Sequence, residues 1–132
     1  VLVKAGSVGS PANGYGLTQL NGASTLRFWI NGMSSVASVS DFVDAPVTAN
    51  AWNHVVATYD LNNLRIYVNG AQVASKAFTT AINHATQPLV MGGSATTNTN
   101  WSGALDEAVI YNRAISAAEV LSRHNLTSSG NN

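Results

Sequence analysis

WNHVVATYDLNNLRIYVNGAQVASK, residues 52–76, is the stretch whose pattern decides the fold. Residues 52–59 and 64–68 are rich in β-branched and aromatic side chains, and each run has the length of one strand. Asp60, Leu61, Asn62 and Asn63 lie between them as a polar turn. Asn69-Gly70 then separates residues 64–68 from 71–76. Asn-Gly supplies the positive φ angles that a tight hairpin turn needs, so the stretch predicts a three-strand meander. The same signal, Asn21-Gly22, stands between residues 15–20 and 25–30 and predicts a second hairpin. Residues 1–4, 35–43, 89–91 and 103–111 are further strand candidates at the spacing of an antiparallel sandwich. One helix signal comes late, where Ser116 and Glu119 form a capping box that opens a short helix to about Arg123. The expected organisation is one β-sandwich domain over residues 1–126, followed by a polar tail or linker at 127–132.

A chain of 132 residues with 45% apolar content has the size and composition for one cored domain. Charged residues are only 9% of the chain, against roughly 25% in ordinary soluble domains. Its solubility must come from neutral polar groups. Six basic and six acidic residues cancel to zero net charge, so the chain has no stripe that would neutralise nucleic-acid phosphates. There is no cysteine, which removes disulfides and thiolate zinc sites. No apolar run approaches the roughly 20 residues that cross a bilayer, and membrane insertion is not expected. The opening Val1-Leu2-Val3 has the character of interior sequence and implies a larger polypeptide.

Two stretches carry a resemblance. WNHVVATYD at 52–60 with LRIYVNG at 64–70, and WSGALDEAVIYNR at 101–113 followed by AISAAE at 114–119, resemble the hairpin and the ending of laminin-G-like domains of the concanavalin A-like lectin/glucanase group. The resemblance covers roughly residues 50–121, with a weaker likeness at residues 3–6 and 15–20. It implies an all-β, two-sheet antiparallel jelly roll with a short C-terminal helix. It further implies a non-catalytic binding or adhesion module, with a glycan or protein ligand, in an extracellular, cell-surface or particle-surface protein. Members of that group begin with two further strands that find no counterpart in this sequence. That departure leaves three alternatives: strands preceding Val1, a neighbouring chain that completes the sheet, or a rearranged fold. The second belongs to a rival function, a structural or assembly module completed by a partner chain.

Asp106 and Glu107 are the sharpest local signal, because a strand over 103–111 places them among Ala104, Leu105, Ala108, Val109 and Ile110. Buried carboxylates need a cation or hydrogen-bond donors. They are read either as ion-pair partners of Arg65, Arg113 or Lys4, or as caps of loop amides. The resemblance adds a third role, a structural Ca²⁺ held chiefly by Asp106 and secondarily by Glu107. Glycosidase chemistry needs two carboxylates flanking one bond, and Asp41, Asp44, Asp60, Asp106, Glu107 and Glu119 do not form such a strand. His54, His84 and His124 have no zinc spacing. Of the large aromatics, the resemblance places Trp52 and Trp101 at packing positions. Trp29 and Tyr15, with Asn98 and Asn100 in the polar loop 96–100, are the candidates for a ligand-binding surface on which sugar faces stack.

Overall fold

The computed structural model describes residues 2–5, 13–20, 24–93 and 100–129. In chain order the elements are β1 (Leu2–Lys4), β2 (Tyr15–Gln19), β3 (Thr25–Ile30), β4 (Asp41–Pro46), β5 (Val55–Tyr59), β6 (Asn63–Val68), β7 (Ala71–Ala77), β8 (Val90–Met91) and α1 (Ala117–Ser129). They make one antiparallel sheet in the order β4-β3-β2-β1-β8 and a second in the order β5-β6-β7. The expected all-β sandwich with a C-terminal helix is what forms.

Both hairpins are present. β6 turns into β7 through Asn69 and Gly70, whose φ angles of 51° and 82° are the pair that a primed turn demands. β2 and β3 pair antiparallel from Tyr15↔Ile30 to Gln19↔Leu26, and the Leu20 amide donates to the Thr25 carbonyl at 3.0 Å. The Asn21-Gly22 turn itself lies outside the described residues.

Alternation within each strand splits the side chains between two layers. Leu26, Phe28 and Ile30 of β3, Val43 and Ala45 of β4, and Leu64 and Ile66 of β6 meet with Phe78 in the core between the sheets. The other face of β6 presents Tyr67. Ile115 and Val120 pack on that ring, with Val56 and Tyr111 at the margin, so α1 covers the outer face of the three-stranded sheet. The helix opens as expected: the Ser116 amide donates to Glu119 Oε2 at 2.7 Å and the Glu119 amide to Ser116 Oγ at 3.3 Å. It runs to Ser129, a turn and a half beyond the expected Arg123, carrying the polar residues 127–129 into helix.

The β5–β6 turn is held by one carboxylate. Asp60 Oδ1 accepts from the amides of Asn62 and Asn63 at 2.9 and 2.7 Å, while Oδ2 pairs with Arg65. Arg65 first brings the Asp60 carboxyl down, burial opposes it, and the two amides add to the lowering, leaving the carboxyl at about 2. A carboxyl held below its unfolded value stabilises the fold fully above that value, and the contribution fades as pH falls from about 4 toward 2. Glu119, brought to about 2 by Arg113 and then Ser116, acts in the same window. Urea midpoints measured across that range should fall for the parent protein and fall less steeply for Asp60→Asn. Parallel curves would show that the turn carboxylate is not linked to folding.

Two sequence expectations are corrected. Residues 35–43 do not form one strand: Val36 and Ser40 make an isolated bridge, and the strand proper starts at Asp41. Residues 103–111 belong to neither sheet. Among the described residues, 102–110 make no backbone-to-backbone hydrogen bond, and each of them is exposed. A strand needs a paired backbone as well as a suitable side-chain pattern, and among the described residues none pairs with this segment.

A candidate interaction surface

The segment starts at Trp101, whose amide donates to the Gly92 carbonyl at 2.9 Å just past the edge strand β8. The Trp101 ring is half-buried against the main core, and its Nε1 reaches the Ala104 carbonyl at 3.4 Å. The chain ends this passage at Tyr111, which returns to the apolar cluster under α1. Between those anchors Leu105, Val109 and Ile110 are 40%, 58% and 53% exposed. These apolar side chains and peptide groups without a backbone partner among the described residues form an open edge.

Asp106 and Glu107 sit on this edge in water. Asp106 Oδ1 accepts the Glu107 amide at 2.8 Å, and Glu107 has a φ of 49°, a left-handed kink that breaks the strand alternation expected of them. The cations expected beside them are engaged elsewhere: Arg65 with Asp60, Arg113 with Glu119, and the Lys4 Nζ with the Gln87 carbonyl at 2.9 Å. Among the described residues, no three His, Cys, Asp or Glu side chains gather where a metal ion would sit. Ca²⁺ takes six or more oxygens, and among the described residues no third carboxylate joins Asp106 and Glu107.

The aromatic candidates exchange places. Trp29, expected on the surface, is 0% exposed; Trp52, expected in the core, is 66% exposed. Trp29 packs with Val3 and Ala5 beside Met33 and Phe42 on the outer face of the five-stranded sheet. Tyr15 is half-buried against the main core. Asn100 is exposed, and Asn98 lies outside the described residues. Of these residues Trp29 does not reach the surface, and the exposed tryptophan is Trp52.

Sequence reasoning passed over His54 as an isolated strand residue, yet its ring meets that of His124 with centroids 5.5 Å apart. The other acidic groups are committed. Arg27 grips Asp44 with two bonds of 2.8 Å while stacking over Phe42, and Lys76 pairs with Asp41 at 2.6 Å. Four of the six carboxylates thus lie in ion pairs. Only Asp41 contributes a carboxylate to the shallow depression lined by Ser38, Phe78 and Thr80.

Two antiparallel sheets, a helix over the outer face of one and an open strand-like edge define a β-sandwich domain of the jelly-roll kind. The family model described as the concanavalin A-like lectin/glucanases superfamily, of laminin-G type, matches residues 2–121, and the chain belongs to that family. A crystal structure of an S-layer domain-containing protein (residues 221-444) from Clostridium thermocellum ATCC 27405 is similar, with a TM-score of 0.54 and 17% identity. The match covers 90% of this chain and 64% of that one, and at this identity it speaks for the fold alone. No curated protein matches the sequence. Among the described residues, no helix is long and apolar enough to cross a membrane.

Proposed function

We propose that this domain is a non-catalytic interaction module of an extracellular or surface polypeptide, and that it binds a protein segment added as a strand along residues 102–110. One observation carries this reading: a backbone that pairs with no other backbone among the described residues and exposed Leu105, Val109 and Ile110 occur together on one segment. Strand addition satisfies both at once, since the incoming backbone takes the peptide groups and its side chains cover the apolar ones. Asp106 and Glu107, without a cation of their own, favour an incoming strand that bears Lys or Arg. They disfavour a second copy of this same segment, which would set carboxylates against carboxylates. The segment comes from a neighbouring chain or from another part of the polypeptide, and the surface setting accords with the family. Any Ca²⁺ at Asp106 would draw its remaining oxygens from that partner. The absence of catalysis accords with the committed carboxylates, because the remaining two are chain neighbours rather than groups opposed across a groove.

A glycan ligand is the second reading, favoured by Trp52 standing 66% exposed beside the exposed Asn50. Random displayed peptides of strand length, panned against the chain, separate the two. The expected enrichment is for sequences alternating apolar with polar residues and carrying Lys or Arg, lost in Ile110→Asp. Binding on a glycan array that disappears in Trp52→Ala, with no peptide enrichment, would overturn the strand reading in favour of the glycan one.

A further inference from the structure

The contact between His54 and His124 joins two elements that local sequence does not connect. His54 immediately precedes β5, and the turn between β6 and β7 fixes its backbone. Its amide donates to Asn69 Oδ1 at 3.0 Å, and its carbonyl accepts the Asn69 amide at 2.8 Å. His124 lies on α1, which passes so close to that turn that a Cβ on Gly70 would come within 3.0 Å of His124 Cδ2 and of Leu121 Cδ1. The two imidazoles meet at 5.5 Å with their planes 36° apart. His54 Nδ1 is buried and has no hydrogen-bond partner, whereas His124 Nδ1 lies 3.4 Å from Ser128 Oγ. A proton on His54 would therefore enter a position that water does not reach, facing the His124 ring.

We propose that the His54–His124 pair is a proton-sensitive latch that holds α1 on the β5-β6-β7 sheet when both rings are neutral and loosens it in mild acid. The inference does not depend on what the open edge binds. The charged or titratable groups facing the pair are few. From α1, His54 meets His124; from the 102–110 segment, Glu107 acts on His54 across a gap without forming an ion pair. Residues outside the described set carry no ionisable side chain. Burial first, and then His124, push the His54 imidazole below its ordinary value, with Glu107 opposing them. A histidine whose folded value is lowered takes up its proton more readily when released. Stability is therefore full above about 6.5 and declines as pH falls from there toward the lowered folded value. Elsewhere the helix is anchored by Ile115 and Val120 packed on Tyr67, by Arg123 over the Tyr111 ring at 5.2 Å and by the Arg113–Glu119 ion pair, whose carboxyl titrates well below this range.

The test is nuclear magnetic resonance of the whole chain between about pH 7.5 and 5.5, following imidazole titration and the exchange protection of α1 amides corrected for intrinsic rates. Protection of α1 should fall about tenfold for each pH unit by which the His54 value lies below that of a free imidazole, while β2 and β3 amides hold. His124→Gln should raise the His54 value and flatten the pH dependence. Glu107→Gln, on the exposed segment and remote from the core, should lower the His54 value and steepen it. A His54 titration indifferent to both substitutions, or α1 protection equal at both ends of the range, would overturn the latch.

Discussion

Trp29→Ala is expected to cost about 3–5 kcal/mol, the range for emptying a buried tryptophan site. The ring lies where four strands place their outward residues in one row: Val3 pairs with Gly16, Gly16 with Trp29 and Trp29 with Phe42. Gly16 makes room for it. A Cβ there would sit 2.5 Å from the indole Cζ2, so the ring lies flat across the glycine, and Val3, Ala5, Met33 and Phe42 enclose the rest. Against a total stability of roughly 5–15 kcal/mol the loss leaves little reserve. Trp29→Phe should be milder, because the shorter ring also removes an indole N–H that is buried without a partner, offsetting part of the cavity. Urea denaturation compares the two, and acrylamide quenching supplies a control, since Trp52 should quench freely and Trp29 should not. A loss below about 1 kcal/mol for Trp29→Ala would mean that the ring is solvated, and would return Trp29 to the surface candidates.

The contrast between the two tryptophans marks where sequence reasoning reaches its limit. Asn69-Gly70, the Asp60 turn and the Ser116–Glu119 box are legible because each signal and the backbone that it satisfies lie within a few residues. Alternation in β3 correctly separates Leu26, Phe28 and Ile30 from Trp29. It does not say that the outer face is roofed at Trp29, since the roof depends on Gly16 and Phe42 arriving from other strands. Residues 103–111 have the composition of a strand, but a strand exists only against another backbone. What reads as a buried carboxylate pair is therefore an exposed one on an open edge. The histidine latch joins residues 70 positions apart and has no local signature.

Asn31→Ala should cost on the order of 3 kcal/mol, although nothing in the sequence distinguishes this asparagine from its neighbours. It follows β3 directly, is 0% exposed and holds a φ of 56°, a left-handed conformation that asparagine tolerates better than alanine. Its amide donates to the Gly14 carbonyl, a bond that survives truncation. Its side chain does not have that safeguard. Nδ2 donates to the Val39 carbonyl at 3.0 Å and the Ala81 carbonyl at 2.9 Å, and Oδ1 accepts the Asn83 amide at 2.7 Å. One carboxamide thus ties the loop before β4 to the loop after β7, two segments with little regular structure to hold them. Truncation strands these partners at about 1–3 kcal/mol for each that water cannot reach, and adds backbone strain. Asn31→Asp sharpens the test: it keeps the acceptor and the φ preference but turns a carboxylate toward two carbonyl oxygens, so it should be at least as damaging at neutral pH and recover in part when protonated. Denaturation midpoints and amide exchange at Asn83 read both effects. If Asn31→Ala loses less than about 1 kcal/mol with Asn83 still protected, water has taken the place of the carboxamide, and the two loops are held by the packing of Phe78 and Ala85.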